Sequence, residues 1–67
     1  MDNDGGRVSA LTAIDRDFPP WHAWEGMIAG LLYARRPRSS PPMVVRATSA
    51  EGLREQIIRA EEERGLR

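Results

Sequence analysis

Five prolines in two groups limit where regular structure can form along this chain. Pro19 and Pro20 end any helix that precedes them, because the residue before a proline avoids the helical region. The other three prolines lie in the segment 37–42, Pro-Arg-Ser-Ser-Pro-Pro, which favours a stiff, extended loop. The 67 residues therefore form an N-terminal, a central and a C-terminal segment, and the chain is short enough for one domain at most.

The N-terminal segment predicts a disordered tail followed by a helix. Residues 1–6 are polar and contain no side chain that would favour burial, so we expect a tail there. Ser9 is a suitable N-cap, and the helix is predicted over residues 9–17. The apolar stripe of this amphipathic helix recurs at spacings of three and four, at Val8, Leu11, Ile14 and Phe18.

The C-terminal segment gives the clearest helical signal. Thr48 and Glu51 have the spacing of a capping box, in which each side chain accepts a hydrogen bond from a free backbone amide of the other. An apolar seam follows at Leu53, Ile57 and Ala60, and Gly65 is a natural stop. These features predict a helix over residues 49–64.

The central segment supports two interpretations between residues 21 and 36. In the first, residues 21–24 and 31–36 are aromatic-rich strands of a hairpin whose loop is bounded by Gly26 and Gly30. In the second, the segment is a helix that contains both glycines at a cost of about 1 kcal/mol each. Its apolar and basic positions then fall on one face, at Trp24, Met27, Ile28, Leu31, Leu32 and Arg35. We favour the hairpin. Residues 43–46, rich in β-branched side chains, predict a further strand.

Taken together, these elements predict an α+β fold. A small three-stranded antiparallel sheet is flanked by an N-terminal helix and a longer C-terminal helix, and residues 7–67 form a single domain. Both helices cover one face of the sheet and leave the other exposed. A chain this small buries little surface alone, so we also expect a homodimer.

Three stretches carry a resemblance to known proteins: DFPPWHAWEG (17–26), YARRPRSSPP (33–42) and VVRA (44–47). Over residues 11–58 the chain resembles a group of short uncharacterised actinobacterial proteins. This resemblance implies a hairpin and a third strand before the helix, and it implies no particular activity.

The predicted topology is also similar in outline to two nucleic-acid-binding domains. Double-stranded-RNA-binding domains have the same element order, but they place lysines where residues 49–52 here read Ser-Ala-Glu-Gly. The DNA-binding domains of plant ethylene-response factors and phage-type integrase arms read the major groove with a sheet face that bears arginines and aromatics. The second similarity is one of topology only, and the residues that would supply such a face here are Arg35, Arg36, Arg38 and Arg46 near Trp21, Trp24 and Tyr33.

Charge is unevenly distributed although the net charge is zero. The segment 35–46 contains four arginines and no acid. The chain has no cysteine, so disulfides and thiolate zinc sites are excluded. The acidic start does not resemble a secretory signal, and the longest apolar run, residues 27–34, is far shorter than the roughly 20 residues of a membrane span. We therefore expect a cytoplasmic protein with no membrane partner.

Catalytic and metal-binding residues are not evident in the sequence. His22 is the only histidine, with no carboxylate at a spacing that must meet it, so it is interpreted as a surface or boundary residue. The acids at positions 61–63 point in different directions around a helix and are interpreted as a solvated helix end. We expect no enzymatic activity, no catalytic residue, no metal, no cofactor and no small-molecule substrate.

The best candidates for binding are aromatic side chains beside the basic segment. Tryptophan, tyrosine and arginine dominate protein interface hot spots, so the sequence predicts a non-catalytic binding or regulatory module for a protein partner or a second copy. The predicted binding residues are Trp24, Tyr33, Arg35, Arg36, Arg38 and Arg46. The alternative is a DNA-binding accessory protein that uses the same arginines and aromatics on phosphates and bases.

Two further features accompany these candidates. Met27 and Ile28 would be apolar and exposed at the tip of the hairpin, which indicates a contact surface. Phosphorylation of Ser39 or Ser40 would add negative charge beside the arginines and act as a switch.

Overall fold

A computed structural model of the chain describes residues 3–28 and 30–66, with side chains from Ser9 onward. Within these residues two helices enclose three strands in chain order. The elements are α1 (Asn3–Asp17), β1 (His22–Glu25), β2 (Leu32–Arg36), β3 (Met43–Ala47) and α2 (Ala50–Glu63). The strands form one antiparallel sheet with β2 at its centre. The predicted α+β class, with its helix, three strands and helix, is confirmed. The prediction that the C-terminal helix is the longer one is wrong, because α1 has 15 residues and α2 has 14.

The ambiguous central segment is a hairpin, and the helical alternative is wrong. The Gly26 amide donates to the Leu31 carbonyl at 2.9 Å, which closes the turn between β1 and β2. Gly30 has a φ of +87°, a left-handed conformation that glycine adopts without a Cβ penalty. β1 begins at His22, one residue later than predicted, because Trp21 lies in the bend after the prolines.

The first helix ends as predicted but begins earlier. α1 stops at Asp17, and the Trp21 amide donates to the Phe18 carbonyl at 2.8 Å as the chain turns across the two prolines. Ser9 is not an N-cap, since α1 starts at Asn3, within the segment for which the sequence predicts a tail. Each residue added to an existing helix gains a backbone hydrogen bond, so a helix extends further than its apolar stripe. Residues 1 and 2 of the predicted tail lie outside the described residues.

The second helix has defined caps at both ends. Its N-cap is Ser49, whose Oγ accepts a 3.0 Å hydrogen bond from the Gly52 amide. The predicted capping box from Thr48 is therefore wrong by one residue, because the helix begins at Ala50. At the other end, Gly65 adopts a φ of +71° and the Leu66 amide donates to the Glu61 carbonyl at 2.7 Å. This is a Schellman motif, and it confirms Gly65 as the stop.

The core lies between the two helices and one face of the sheet. α1 packs against β1 and α2, while α2 packs across β2 and β3. Ile14 of α1 and both Leu53 and Ile57 of α2 are completely buried. The other buried apolar residues are Phe18, Trp21, Ala23, Leu32, Ala34 and Met43. The helices thus cover one face of the sheet and leave the opposite face open, as predicted.

Candidate functional site

The open face of the sheet presents six side chains to solvent. Successive residues of a strand point to opposite sides, so the inward positions of β2, Leu32 and Ala34, leave Tyr33 and Arg35 facing outward. Applied to all three strands, this alternation defines the sheet face as His22, Trp24, Tyr33, Arg35, Val44 and Arg46. None of the six is acidic.

Strand register arranges the sheet face in two rows of three. The row nearer the hairpin tip runs from Trp24 through Tyr33 to Arg46. The second row runs from His22 through Arg35 to Val44. Directly opposite side chains on adjacent strands are close enough to contact one another, so each row is a continuous strip across the sheet.

Three aromatic rings on this face form a ladder. Trp24 stacks on Tyr33 with ring centroids 5.6 Å apart and an interplanar angle of 16°. His22 stacks on Trp24 at 5.9 Å and 20°. Gly26 permits this arrangement, because a Cβ at that position would overlap the Tyr33 ring. The ladder leaves Trp24 36% exposed, while Val44 in the second row is 58% exposed.

The structure places four of the six predicted binding residues together. Trp24, Tyr33, Arg35 and Arg46 all lie on the sheet face. Sequence reasoning missed His22 and Val44, which alternation along β1 and β3 would have found once the strands were assigned.

The other two predicted residues, Arg36 and Arg38, lie away from the sheet face. Arg36 follows Arg35 in β2 and therefore points to the opposite side, where its Nη1 lies 3.5 Å from Oε2 of Glu61. Arg38 is exposed in the loop after β2. The four arginines of the basic segment consequently do not form one patch.

Glu61 is a buried carboxylate that sequence reasoning placed at a solvated helix end, and that interpretation is wrong. Its side chain is 6% exposed, and its Oε2 accepts a 2.8 Å hydrogen bond from Nε1 of Trp21. The signal was the spacing from Leu53 through Ile57 to position 61, which puts all three on the buried side of α2. Trp21 is therefore a core residue with a polar partner, whereas Trp24 belongs to the sheet face.

An open groove of about 770 Å³ lies where α1, the bend after it and the end of β2 meet. Asp15, His22 and Arg38 line its rim together with prolines and Trp21. His22 meets a carboxylate here after all, since its Nδ1 lies 3.7 Å from Oδ2 of Asp15. That distance is too long for a hydrogen bond. Oδ1 of Asp15 accepts a 2.8 Å hydrogen bond from the Ala23 amide of β1.

Ser39 and Ser40 lie in the loop between β2 and β3, and they differ in exposure to solvent. The hydroxyl of Ser39 is buried and has no hydrogen-bond partner among the described residues. Ser40 is exposed and precedes Pro41 through a cis peptide bond. A kinase therefore has direct access only to Ser40, and phosphorylation there stays a prediction.

The hairpin tip carries apolar side chains in contact with solvent. Met27 is fully exposed and Ile28 is 66% exposed, as expected for residues at the end of a hairpin. Both follow the row of Trp24 and Tyr33, so the apolar tip adjoins the aromatic ladder.

No three histidine, cysteine or acidic side chains of the described residues are grouped as a metal site would require. No helix in the described part of the chain has the length and hydrophobicity to cross a membrane. The chain matches no protein-family model, and no curated protein or solved structure is significantly similar to it. The function proposed below therefore depends on the contacts, exposure and charge of its own residues.

Proposed function

We propose that this protein is a non-catalytic cytoplasmic binding module whose sheet face contacts an acidic surface of a protein partner. The observation that supports this proposal is the composition of the sheet face, an aromatic ladder with arginines in both rows and no acidic residue. Aromatic and arginine side chains supply most of the binding energy at protein interfaces. Arg35 and Arg46 would pair with carboxylates of the partner through charge-assisted hydrogen bonds.

The arrangement of the rings favours a protein over a nucleic acid as the partner. A nucleobase needs an open aromatic face on which to stack. Trp24 already stacks on both His22 and Tyr33, so part of its ring surface is used within the protein. The partly exposed indole is better suited to fill an apolar pocket of a partner, with its neighbours excluding water around it.

Nucleic-acid binding is the second candidate, and one observation favours it. Arg35 and Arg46 lie on the same face as the aromatic rings, which is the combination that contacts phosphates and bases. Against it, Arg36 lies beside Glu61 on the opposite side of the sheet, so the basic segment offers fewer free charges than its sequence suggests. Zero net charge also gives weak long-range attraction to a polyanion.

Site-specific photo-crosslinking in cells tests the proposal and separates the two candidates. A photoreactive amino acid replaces the exposed His22 on the sheet face, in the strand farthest from β3, or Glu55 on the exposed side of α2 as a control position. We expect a protein adduct only from position 22, with the crosslink mapped to an acidic segment of the partner. A nuclease-sensitive adduct would instead establish the second candidate, and equal adducts from both positions would overturn the proposed surface.

Matched charge reversals then test the chemistry of the contact. Arg35 is exposed on the sheet face and Arg59 is exposed on α2, and Arg35→Glu and Arg59→Glu change the net charge by the same amount. We expect Arg35→Glu and Trp24→Ala each to weaken binding of the purified partner by about tenfold or more, and Arg59→Glu to leave it unchanged. Equal losses in both charge variants would show that net charge, rather than the sheet face, controls binding.

A further inference from the structure

The two edges of the sheet differ in how they are covered. At the β1 edge, the Ala23 amide points away from β2 and donates to the side chain of Asp15, so α1 covers that edge. Along β3, no hydrogen bond from another described element reaches an outward backbone group. An open groove of about 470 Å³ lies beside this strand, between Val44 and Ala60 of α2. Within the described residues, β3 is therefore the uncovered edge.

The hydrogen-bonding pattern identifies which groups of β3 face outward. Because the Ala23 amide points away from β2, Ala23 and Ala34 are a non-hydrogen-bonded pair. The backbone groups of Ala34 then point toward β3, where its partner is Val45. It follows that Val45 bonds to β2, and that the N–H and C=O groups of Val44 and Arg46 point out of the sheet.

We propose that β3 pairs with the β3 strand of a second copy of this chain, in antiparallel orientation about a two-fold axis at Val45. In this register, Val44 lies opposite Arg46 of the second copy, and the two residues exchange both backbone hydrogen bonds. By the two-fold symmetry, Arg46 makes the same two backbone hydrogen bonds with Val44 of the second copy. The two sheets then join into one continuous sheet, and every outward group of Val44 and Arg46 is satisfied.

Charge and side-chain chemistry select this register over its neighbours. An axis at Arg46 would set two arginines directly opposite each other, which is unfavourable. An axis at Val44 would place Arg46 opposite Pro42, which has no amide to donate. The axis at Val45 instead places the exposed Val44 beside the alkyl stem of an arginine. It also brings together the two half-buried Val45 side chains, which already pack against the core.

A native edge strand usually carries a feature that prevents such pairing, and β3 carries few. Prolines, inward charges and bulges are the common protective features. Pro41 and Pro42 precede β3, but the strand itself has no proline and two adjacent valines. Arg46 is its one charge, and in the proposed register it faces an uncharged residue. This inference is independent of the proposed partner of the sheet face.

Sedimentation equilibrium of the full chain and its variants tests the pairing. We expect the wild type to have twice the monomer mass of 7.5 kDa. Val44→Pro removes an outward amide without removing a bond to β2, so we expect a folded monomer. Val44→Thr keeps that amide, and Trp24→Ala disrupts only the sheet face, so both variants should stay dimeric. A wild-type chain that is monomeric up to about 1 mM, or a dimeric Val44→Pro variant, would overturn the proposal.

Cysteine crosslinking tests the register even if the proline variant fails to fold. The chain has no cysteine, so each variant introduces a single thiol. In the proposed register, two Val45→Cys side chains face each other at a non-hydrogen-bonded position, within reach of a disulfide. Two Val44→Cys residues are offset by two residues along paired strands, so their Cα atoms are farther apart than the roughly 7 Å that a disulfide spans. We expect oxidation to give a covalent dimer only for Val45→Cys, and the reverse result would overturn this register.

Discussion

Nε1 of Trp21 donates a 2.8 Å hydrogen bond to Oε2 of Glu61, forty residues later in the chain, and both side chains are buried. The bond connects the bend before β1 to the last turns of α2. Arg36 lies 3.5 Å from the same carboxylate oxygen and partly balances its charge. A buried carboxylate is stable only where hydrogen bonds or a counter-ion replace the water that it loses. The three residues therefore form one polar cluster at the margin of an apolar core.

Removing the carboxylate should destabilise the fold strongly. In Glu61→Ala, the indole N–H of Trp21 and the guanidinium of Arg36 lose their shared acceptor. We expect the free energy of unfolding to fall by about 2–4 kcal/mol. Glu61→Gln keeps an acceptor for Trp21 and should cost only about 1 kcal/mol. Urea denaturation of the three proteins measures both values, and an Ala variant as stable as the Gln variant would contradict the role of this cluster.

Asp17 should make stability depend on pH in the acid range. The hydrogen bond from Arg54, 2.7 Å long, holds the pKa of this carboxyl below its ordinary value of 3.8, and Arg16 adds to the effect. A pKa lowered by folding stabilises the native state above the unfolded-state pKa, and the contribution disappears as the pH falls through the folded-state pKa.

The comparison of wild type with Asp17→Asn measures this contribution directly. The difference in melting temperature between them should be constant near neutral pH and should shrink as the pH falls below 3.8. A difference that persists down to about pH 2 would show that the variant acts through something other than the charge of Asp17.

Two glycine-to-alanine substitutions should destabilise the fold for different reasons, one by contact with the aromatic ladder and the other by backbone strain. In Gly26→Ala the new methyl group overlaps the Tyr33 ring, so the ring must move away from Trp24. We expect a loss of about 1–3 kcal/mol and a shift of the Trp24 indole resonance in an NMR spectrum. Gly30→Ala meets no atom, but its φ of +87° is strained for alanine, at a cost of about 1–2 kcal/mol. Equal changes in the indole resonance would contradict the contact at Gly26.

The N-cap of α2 gives a prediction with an adjacent control. Ser49→Ala removes the acceptor of the Gly52 amide and should lower stability by about 1 kcal/mol. Thr48→Ala changes an exposed residue before the cap and should cost less than about 0.5 kcal/mol. Thermal unfolding of both variants measures the difference. A larger effect at Thr48 would restore the capping box that the sequence suggests.

The fold was predictable because the residues that end its helices and strands act locally. Pro19 and Pro20 end α1, Gly65 ends α2, and Gly26 and Gly30 lie in the connection between β1 and β2, so each break in regular structure depends on residues at that point of the chain. The starting points of the helices were less predictable. Ser49 and Thr48 are both suitable N-caps, and which of the two caps α2 depends on where β3 ends.

The candidate site was predictable in composition but only partly in geometry. The sequence indicates that the segment 35–46 is basic, yet adjacent arginines of one strand must point to opposite sides. Whether Arg35 or Arg36 faces outward depends on which side the helices cover. The buried position of Glu61 depends on Trp21 and Arg36, which are distant in sequence, so no local pattern reveals its partners.

The separation of the two tryptophans gives the protein two optical signals. Trp21 is buried beside a carboxylate, so its fluorescence should change when the chain unfolds. Trp24 is partly in water and stacked on Tyr33, so its emission should respond when the sheet face is covered while the core stays intact. With Trp21→Phe and Trp24→Phe, folding and binding become separately visible in an unlabelled protein.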